Sequence, residues 1–242
     1  PPLDHARHPT RSTHTPTSPA KPSVLVDDPP TYRTPMVEPL NADPRLSVCG
    51  EAENIATARR LIAEEAPELA IVDIGLDTDN GLDLVKELAQ ERPDLPVLVL
   101  SMHDENLWAE RALRAGARGY IMKQETSTMV VSAVHAILAG GRYVSPAIMG
   151  RILGRMQHGP QEAGTTAPLE LLSDRELEVF RLLGSGLETR EIAEALHLSI
   201  KTIGTYRERL KEKLGFTTGA ELVRAAVLWV AHREAPGCGP PA

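Results

Sequence analysis

From Val24 onward, short apolar runs alternate with longer stretches in which apolar side chains recur every three or four positions. The short runs predict strands at about 23 to 28, 46 to 50, 69 to 73, 96 to 101 and 119 to 123. The longer ones predict helices at about 52 to 66, 81 to 92, 105 to 116 and 126 to 140. Strands alternating with helices imply an α/β fold, a doubly wound parallel five-stranded sheet over residues 23–141. From Pro146 the pattern changes, and Gly, Gln, Thr and Pro accumulate through residues 158–168, so 142–167 is expected to be a flexible linker. Beyond it the signals are all helical, predicting a small all-α module over 168–232 and a flexible tail over 233–242. Residues 1–22 are rich in Pro, Thr, Ser and His and nearly lack large apolar side chains, the composition of a disordered segment.

The 242 residues suffice for two modest domains. No apolar run approaches the roughly 20 residues that cross a bilayer, so a soluble protein without a membrane partner is expected. Cys49 and Cys238 suggest neither a disulfide framework nor a zinc site, which fits a reducing cytoplasm. The net charge of -7 is uneven. Residues 23–141 hold 20 acids against 10 bases, whereas 168–242 hold 11 against 10, so an acidic domain precedes a nearly neutral one.

In a parallel sheet the C-terminal strand ends share one edge. The runs VLVDD, LAIVD, VLVLS and GYIMK then bring Asp27, Asp28, Asp73, Ser101 and Lys123 into one crevice. Taken singly, an Asp at a strand's end is more often a cap or turn former, and paired acids often lie on solvated loops. Their joint placement at four strand ends points instead to phosphoryl transfer onto a carboxylate, which needs a nucleophile, a divalent cation and fixed donors for the transferred group. Asp73 is the candidate nucleophile, Asp27 and Asp28 are candidate Mg2+ ligands, and Lys123 and Ser101 suit the phosphoryl oxygens.

On these residues, segment 24–141 resembles the receiver domain of two-component response regulators. The resemblance implies a flavodoxin-like fold, phosphorylation of Asp73 by a histidine kinase and a switch aromatic at Tyr120. It also implies that the backbone carbonyl of Gly75 joins Asp27, Asp28 and Asp73 as a Mg2+ ligand. Two departures stand out. The family usually has Pro four residues beyond the phosphoacceptor, where this chain reads Asp77-Thr78, and Asp79 adds an acid that is expected to disfavour a phosphoaspartate. Pro35 and Pro39 fall inside the first helix and are expected to break or distort it, restricting the kinase partner. An aspartyl-phosphate phosphohydrolase of the haloacid dehalogenase type is the enzyme rival. It places a second Asp two residues after the first, where this chain has Gly75.

Residues 172–215 read as two short helices, a turn near 196–198 and a longer helix with one basic face. Ser173 with Glu176 and Thr218 with Glu221 match capping-box spacing, and Ser199 suits an N-cap. Ile203, Leu210 and Leu214 should face the core, leaving Lys201, Gly204, Thr205 and Glu208 on or near the exposed face. The segment resembles the LuxR-type DNA-binding domain at Leu172, Arg175, Glu176, Gly186, Glu191, Ile192, Ala193, Leu198, Ser199, Lys201, Thr202, Lys213 and Leu214, and with the receiver implies the NarL/FixJ class.

That likeness places base reading at Gly204, Thr205 and Glu208, where Gly204 offers no side chain and Glu208 cannot bind phosphate, so specificity is expected from Thr205, Glu208 and DNA shape, with Lys201, Thr202, Arg207, Arg209, Lys211 and Lys213 completing the candidate surface for double-stranded DNA. Glu188 replaces the Ser or Thr common before the preceding helix, which weakens the expected cap. The last helix, with Leu222, Val223, Ala226, Val227, Trp229 and Val230, is implied to pair two copies as a homodimer. The expectation is a transcription regulator rather than an enzyme. A phosphorylation-independent regulator, whose receiver only docks partners, remains the alternative.

Overall fold

The computed structural model describes residues 20–28, 30–76, 79–102, 104–158, 169 and 171–234. Five strands, β1 (Lys21–Val26), β2 (Leu46–Ala52), β3 (Leu69–Val72), β4 (Val97–Ser101) and β5 (Gly119–Met122), form one parallel sheet in the order β2-β1-β3-β4-β5. Alternate side chains leave opposite faces. Val24, Val26, Ala70, Val72, Val97 and Val99 join one apolar layer, while Leu25, Leu69, Ile71, Leu98, Leu100 and Ile121 join the other. Burial on both faces is why β3, β4 and β5 read as continuous apolar runs without polar alternation, whereas β2 at the sheet edge is only partly buried.

The helices crossing between strands are α1 (Pro30–Ala42), α2 (Ile55–Glu65), α3 (Gly81–Glu91) and α4 (Glu105–Ala115), with α5 (Ser127–Leu138) following β5. Their starts are chemically fixed. Asn54, Asn80, Asp104 and Thr126 each accept a backbone N–H of the following first turn.

The helix expected to fail does form. α1 runs through both Pro35 and Pro39, although each interior proline costs roughly 3 kcal/mol in a regular helix. Met36 and Leu40 from this helix are buried in the sheet's second layer, each contributing roughly 1.5–3 kcal/mol. Pro35 is exposed and Pro39 half-buried, so the missing backbone donors lie away from that packed face. The idea that a broken first helix restricts the kinase partner loses its basis.

A second correction concerns the expected linker, whose residues Pro146–His158 form helix α6. Its first turn is tied down by Ser145, which accepts the Ile148 N–H at 3.2 Å and donates to Glu105 on α4 at 2.8 Å. Ile148 is fully buried and Arg151 donates to Asn106 of α4. Gly150 and Gly154 weaken local helix propensity, so the docking on α4 stabilises what composition disfavours.

Further along the described residues come α7 (Asp174–Gly184), α8 (Thr189–Ala195), α9 (Ile200–Leu214) and α10 (Gly219–Glu234). Ser173 and Glu176 close a capping box at the start of α7, and Thr218 and Glu221 bond reciprocally at the start of α10. At the start of α8, Glu191 accepts the Glu188 N–H at 2.7 Å. Gly184 lets α7 and α10 approach closely, because a Cβ there would sit 2.5 Å from the Ala226 carbonyl oxygen. Phe180 on α7 and Trp229 on α10 meet in a tilted pair with centroids 5.6 Å apart.

Candidate phosphoacceptor crevice and nucleic-acid interface

The chain reverses its direction of travel across the sheet between β1 and β3, and a crevice opens at such a switch point. Asp27 follows β1 and Asp73 follows β3. Their amides are held by the Ala52 and Val26 carbonyls at 3.0 and 2.8 Å, so neighbouring strands fix both acids from the backbone. Lys123 leaves β5 with its amide on the Ser101 carbonyl at 2.8 Å. Its ammonium donates to Asp27 Oδ1 at 2.6 Å and Asp73 Oδ2 at 2.8 Å. All three side chains are almost wholly buried.

Burial pushes the Asp27 carboxyl up, and the neighbouring Asp73 pushes the same way, while Lys123 pulls it down; the result is about 6. A second cation would relieve this crowding. Asp73 Oδ1 is buried without a hydrogen-bond partner, an oxygen donor of the kind a hard divalent ion takes. Asp28 is half-buried next to Asp27. Among the described residues no group of three His, Cys, Asp or Glu side chains is arranged to hold a metal ion; what favours Mg2+ at this place is the carboxylate chemistry of Asp27, Asp28 and Asp73 and that orphaned oxygen.

Ser101 is fully buried and shares a hydrogen bond with the Tyr120 hydroxyl, whose ring is buried beneath the crevice. Burial pushes the Tyr120 phenol well above its ordinary range, keeping it neutral. The two described ends of the loop after Asp73 are held together. Gly75 bridges to Asn80, the Gly81 N–H donates to the Ile74 carbonyl at 2.9 Å, and Asn80 caps α3 through the Leu82 N–H. Gly81 is packed so closely that a Cβ would lie 1.8 Å from the Asp73 carbonyl oxygen. Asp77 lies outside the described residues. Asp79 accepts the Ile55 N–H of α2 at 3.3 Å.

At the second candidate site, α8 and α9 make a helix-turn-helix. His197 takes a left-handed φ of 51° in the turn, the Leu198 N–H bonds to Ala193, and Ser199 caps α9 at Thr202. Ile203 and Leu210 are fully buried, so Lys201, Thr205, Glu208 and Arg209 face outward and Gly204 opens onto free space.

Several sequence-predicted contact residues are otherwise engaged. Arg207 donates to Thr189 at 2.7 Å, and Lys213 donates to Glu176 at 2.6 Å and to the Leu171 carbonyl at 3.3 Å. Lys211 pairs with Glu208 at 2.8 Å, and Thr202 shares a hydrogen bond with Ser199. Sequence reasoning missed Lys86, Arg111 and Asp174, which join α3 and α4 to α7, because charges on helix surfaces carry no periodic signal of a distant partner. It also missed Asn80, although an Asn-Gly pair before an apolar helix is a legible cap signal.

Two families match the chain: response regulator receiver domain over residues 24–135, and bacterial regulatory proteins, luxR family, over residues 170–226. The transcriptional activator protein ExaE of Pseudomonas putida is 36% identical over 204 residues, covering 84% of this chain and 94% of that protein. The virulence factors putative positive transcription regulator BvgA of Bordetella pertussis is 33% identical over 203 residues, covering 84% and 95%. Among solved structures, RcsB from Salmonella enterica serovar Typhimurium, bound to promoter rprA in the presence of phosphomimetic BeF3-, is 25% identical with a TM-score of 0.57, covering 86% of this chain and 98% of that one.

Proposed function

Because the chain belongs to the LuxR-type two-component response regulators, we propose that Asp73 is its phosphoacceptor and that phosphorylation there controls dimerisation and sequence-specific DNA binding by α9. The observation that carries this reading is the Lys123 ammonium between Asp27 and Asp73, a fixed positive charge beside a carboxylate whose Oδ1 is buried without a hydrogen-bond partner.

A carboxylate oxygen of Asp73 attacks the phosphorus of the donor, the bond from phosphorus to the donor atom breaks, and the donor leaves with that electron pair. An acyl phosphate remains. Lys123 offsets the negative charge of the new phosphoryl group, and Ser101 donates to one of its oxygens after giving up Tyr120. Asp27, Asp28, Asp73 and the Gly75 carbonyl would hold Mg2+, which supplies the positive charge that brings an anionic donor against three acids. A histidine kinase is the donor's natural source, and the protein works in the cytoplasm. Among the described residues no single helix is long and apolar enough to cross a membrane.

Intact mass after incubation with acetyl phosphate and Mg2+ tests the reading. One added phosphoryl group in the wild type, absent in Asp73→Ala, is expected. An unlabelled wild type that still binds DNA would favour a regulator whose receiver only docks partners.

A further inference from the structure

Asp79 has no role in the chemistry above, and its charge alone would oppose a phosphoaspartate. The structure turns that carboxylate to the neighbouring helix. Asp79 Oδ2 accepts the Ile55 N–H at 3.3 Å, while Asn54 takes the Thr57 N–H of the same helix at 2.8 Å. The first turn of α2 thus has one donor satisfied by its own cap and another by the loop that follows Asp73. Arg59 on α2, paired chiefly with Glu87 on α3, also attracts Asp79. A negative charge at a helix N-terminus is favourable, so Asp79 is held where its charge is compensated.

Among the described residues of that loop, Ile74 and Leu76 are anchored in the apolar layer and Asn80 is buried. The sequence of 74–80 contains no proline, and among the described residues the Gly75 bridge to Asn80, the Asn80 cap and the Gly81 N–H on Ile74 join its two ends. We propose that Asp79 is a positioning residue: its tether to Ile55 fixes the loop that carries the Gly75 carbonyl beside Asp73, and so sets the affinity of the crevice for Mg2+. This rests on Asp73 being the phosphoacceptor.

Two readouts on the full chain test the proposal. In unphosphorylated protein, Asp79→Ala should speed amide hydrogen exchange at Ile55 and Gly81 about tenfold, as expected for loss of a hydrogen bond to a charged group. In Mg2+ titrations of Asp73 labelling by acetyl phosphate, the half-saturating Mg2+ concentration should rise roughly three- to tenfold with little change in the saturating rate. Asp79→Asn keeps an oxygen acceptor for the Ile55 N–H and should behave close to wild type in both. Unchanged exchange at Gly81 in Asp79→Ala would overturn the tether, and equal defects in the Ala and Asn variants would replace it with a pure charge effect. If wild type takes no label at Asp73, the phosphoacceptor reading fails, while the exchange measurement still decides whether Asp79 holds the loop.

Discussion

Arg111, midway along α4, donates to Asp174, the first residue of α7, at 3.0 Å, and the same guanidinium takes the carbonyls of Leu172 at 2.9 Å and Leu169 at 2.7 Å. Lys86 on α3 holds the other Asp174 oxygen at 2.8 Å. Both partners of the Arg111 pair are largely buried, at 15% and 12% side-chain exposure, so this link between the sheet domain and the helical module is shielded from solvent. Arg111→Ala should weaken the coupling between the modules by about 2 kcal/mol, less than for an isolated buried pair because Lys86 remains. Calorimetry should show the unfolding of the two modules separating; a superimposable trace would refute the coupling.

Gly81→Ala forces a Cβ to within 1.8 Å of the Asp73 carbonyl oxygen and 2.8 Å of its carbon, so backbone must move. A displacement of about 1 Å at a reacting group costs on the order of a hundredfold in rate. Labelling of Asp73 by acetyl phosphate should fall by about that factor, and stability by about 1–3 kcal/mol from overpacking. Wild-type labelling kinetics would contradict this account of the loop.

The pair between buried Glu176 and Lys213 makes the helical module acid-sensitive in a defined direction. Burial alone would raise the Glu176 carboxyl, but Lys213 and the Ser173 groups outweigh it and the folded-state value is lowered from 4.5. A lowered carboxylate contributes stability above its unfolded value that is lost as pH falls through the folded value. Glu176→Gln should therefore flatten the decline of melting temperature on acidification below about pH 4.5. An unchanged slope would show that other groups dominate.

On the recognition face, Arg209 is exposed whereas Arg207 is engaged with Thr189. Arg209→Ala should weaken binding to all DNA sequences and reduce the slope of log affinity against log salt by about 1. Arg207→Ala should lower the melting temperature more than it changes that slope. Thr205→Ala and Glu208→Ala should alter sequence preference, as read by competition between variant operators. A base-specific loss in Arg209→Ala, with unchanged preference in the other two, would reverse the assignment.

The alternation of apolar runs and amphipathic stretches already specified five strands in a parallel sheet, most plainly in β3, β4 and β5, where residues buried on both faces must be apolar throughout. The strand-end chemistry of Asp27, Asp73, Ser101 and Lys123 was legible for the same reason, since parallel topology alone carries those ends to one edge. The caps at Ser173 and Ser199 were legible because capping is local. What the sequence left open depends on partners distant along the chain. α1 keeps its helix through two prolines because Met36 and Leu40 find the sheet, and α6 forms because α4 receives it. Asp79 looked like surplus charge until its partner proved to be the Ile55 amide, and Lys213, part of the candidate DNA surface in the sequence, donates to Glu176 in the fold. Periodicity and local chemistry belong to the chain itself, but the use of a charge is set by its neighbours in space, and only the tertiary structure chose those neighbours.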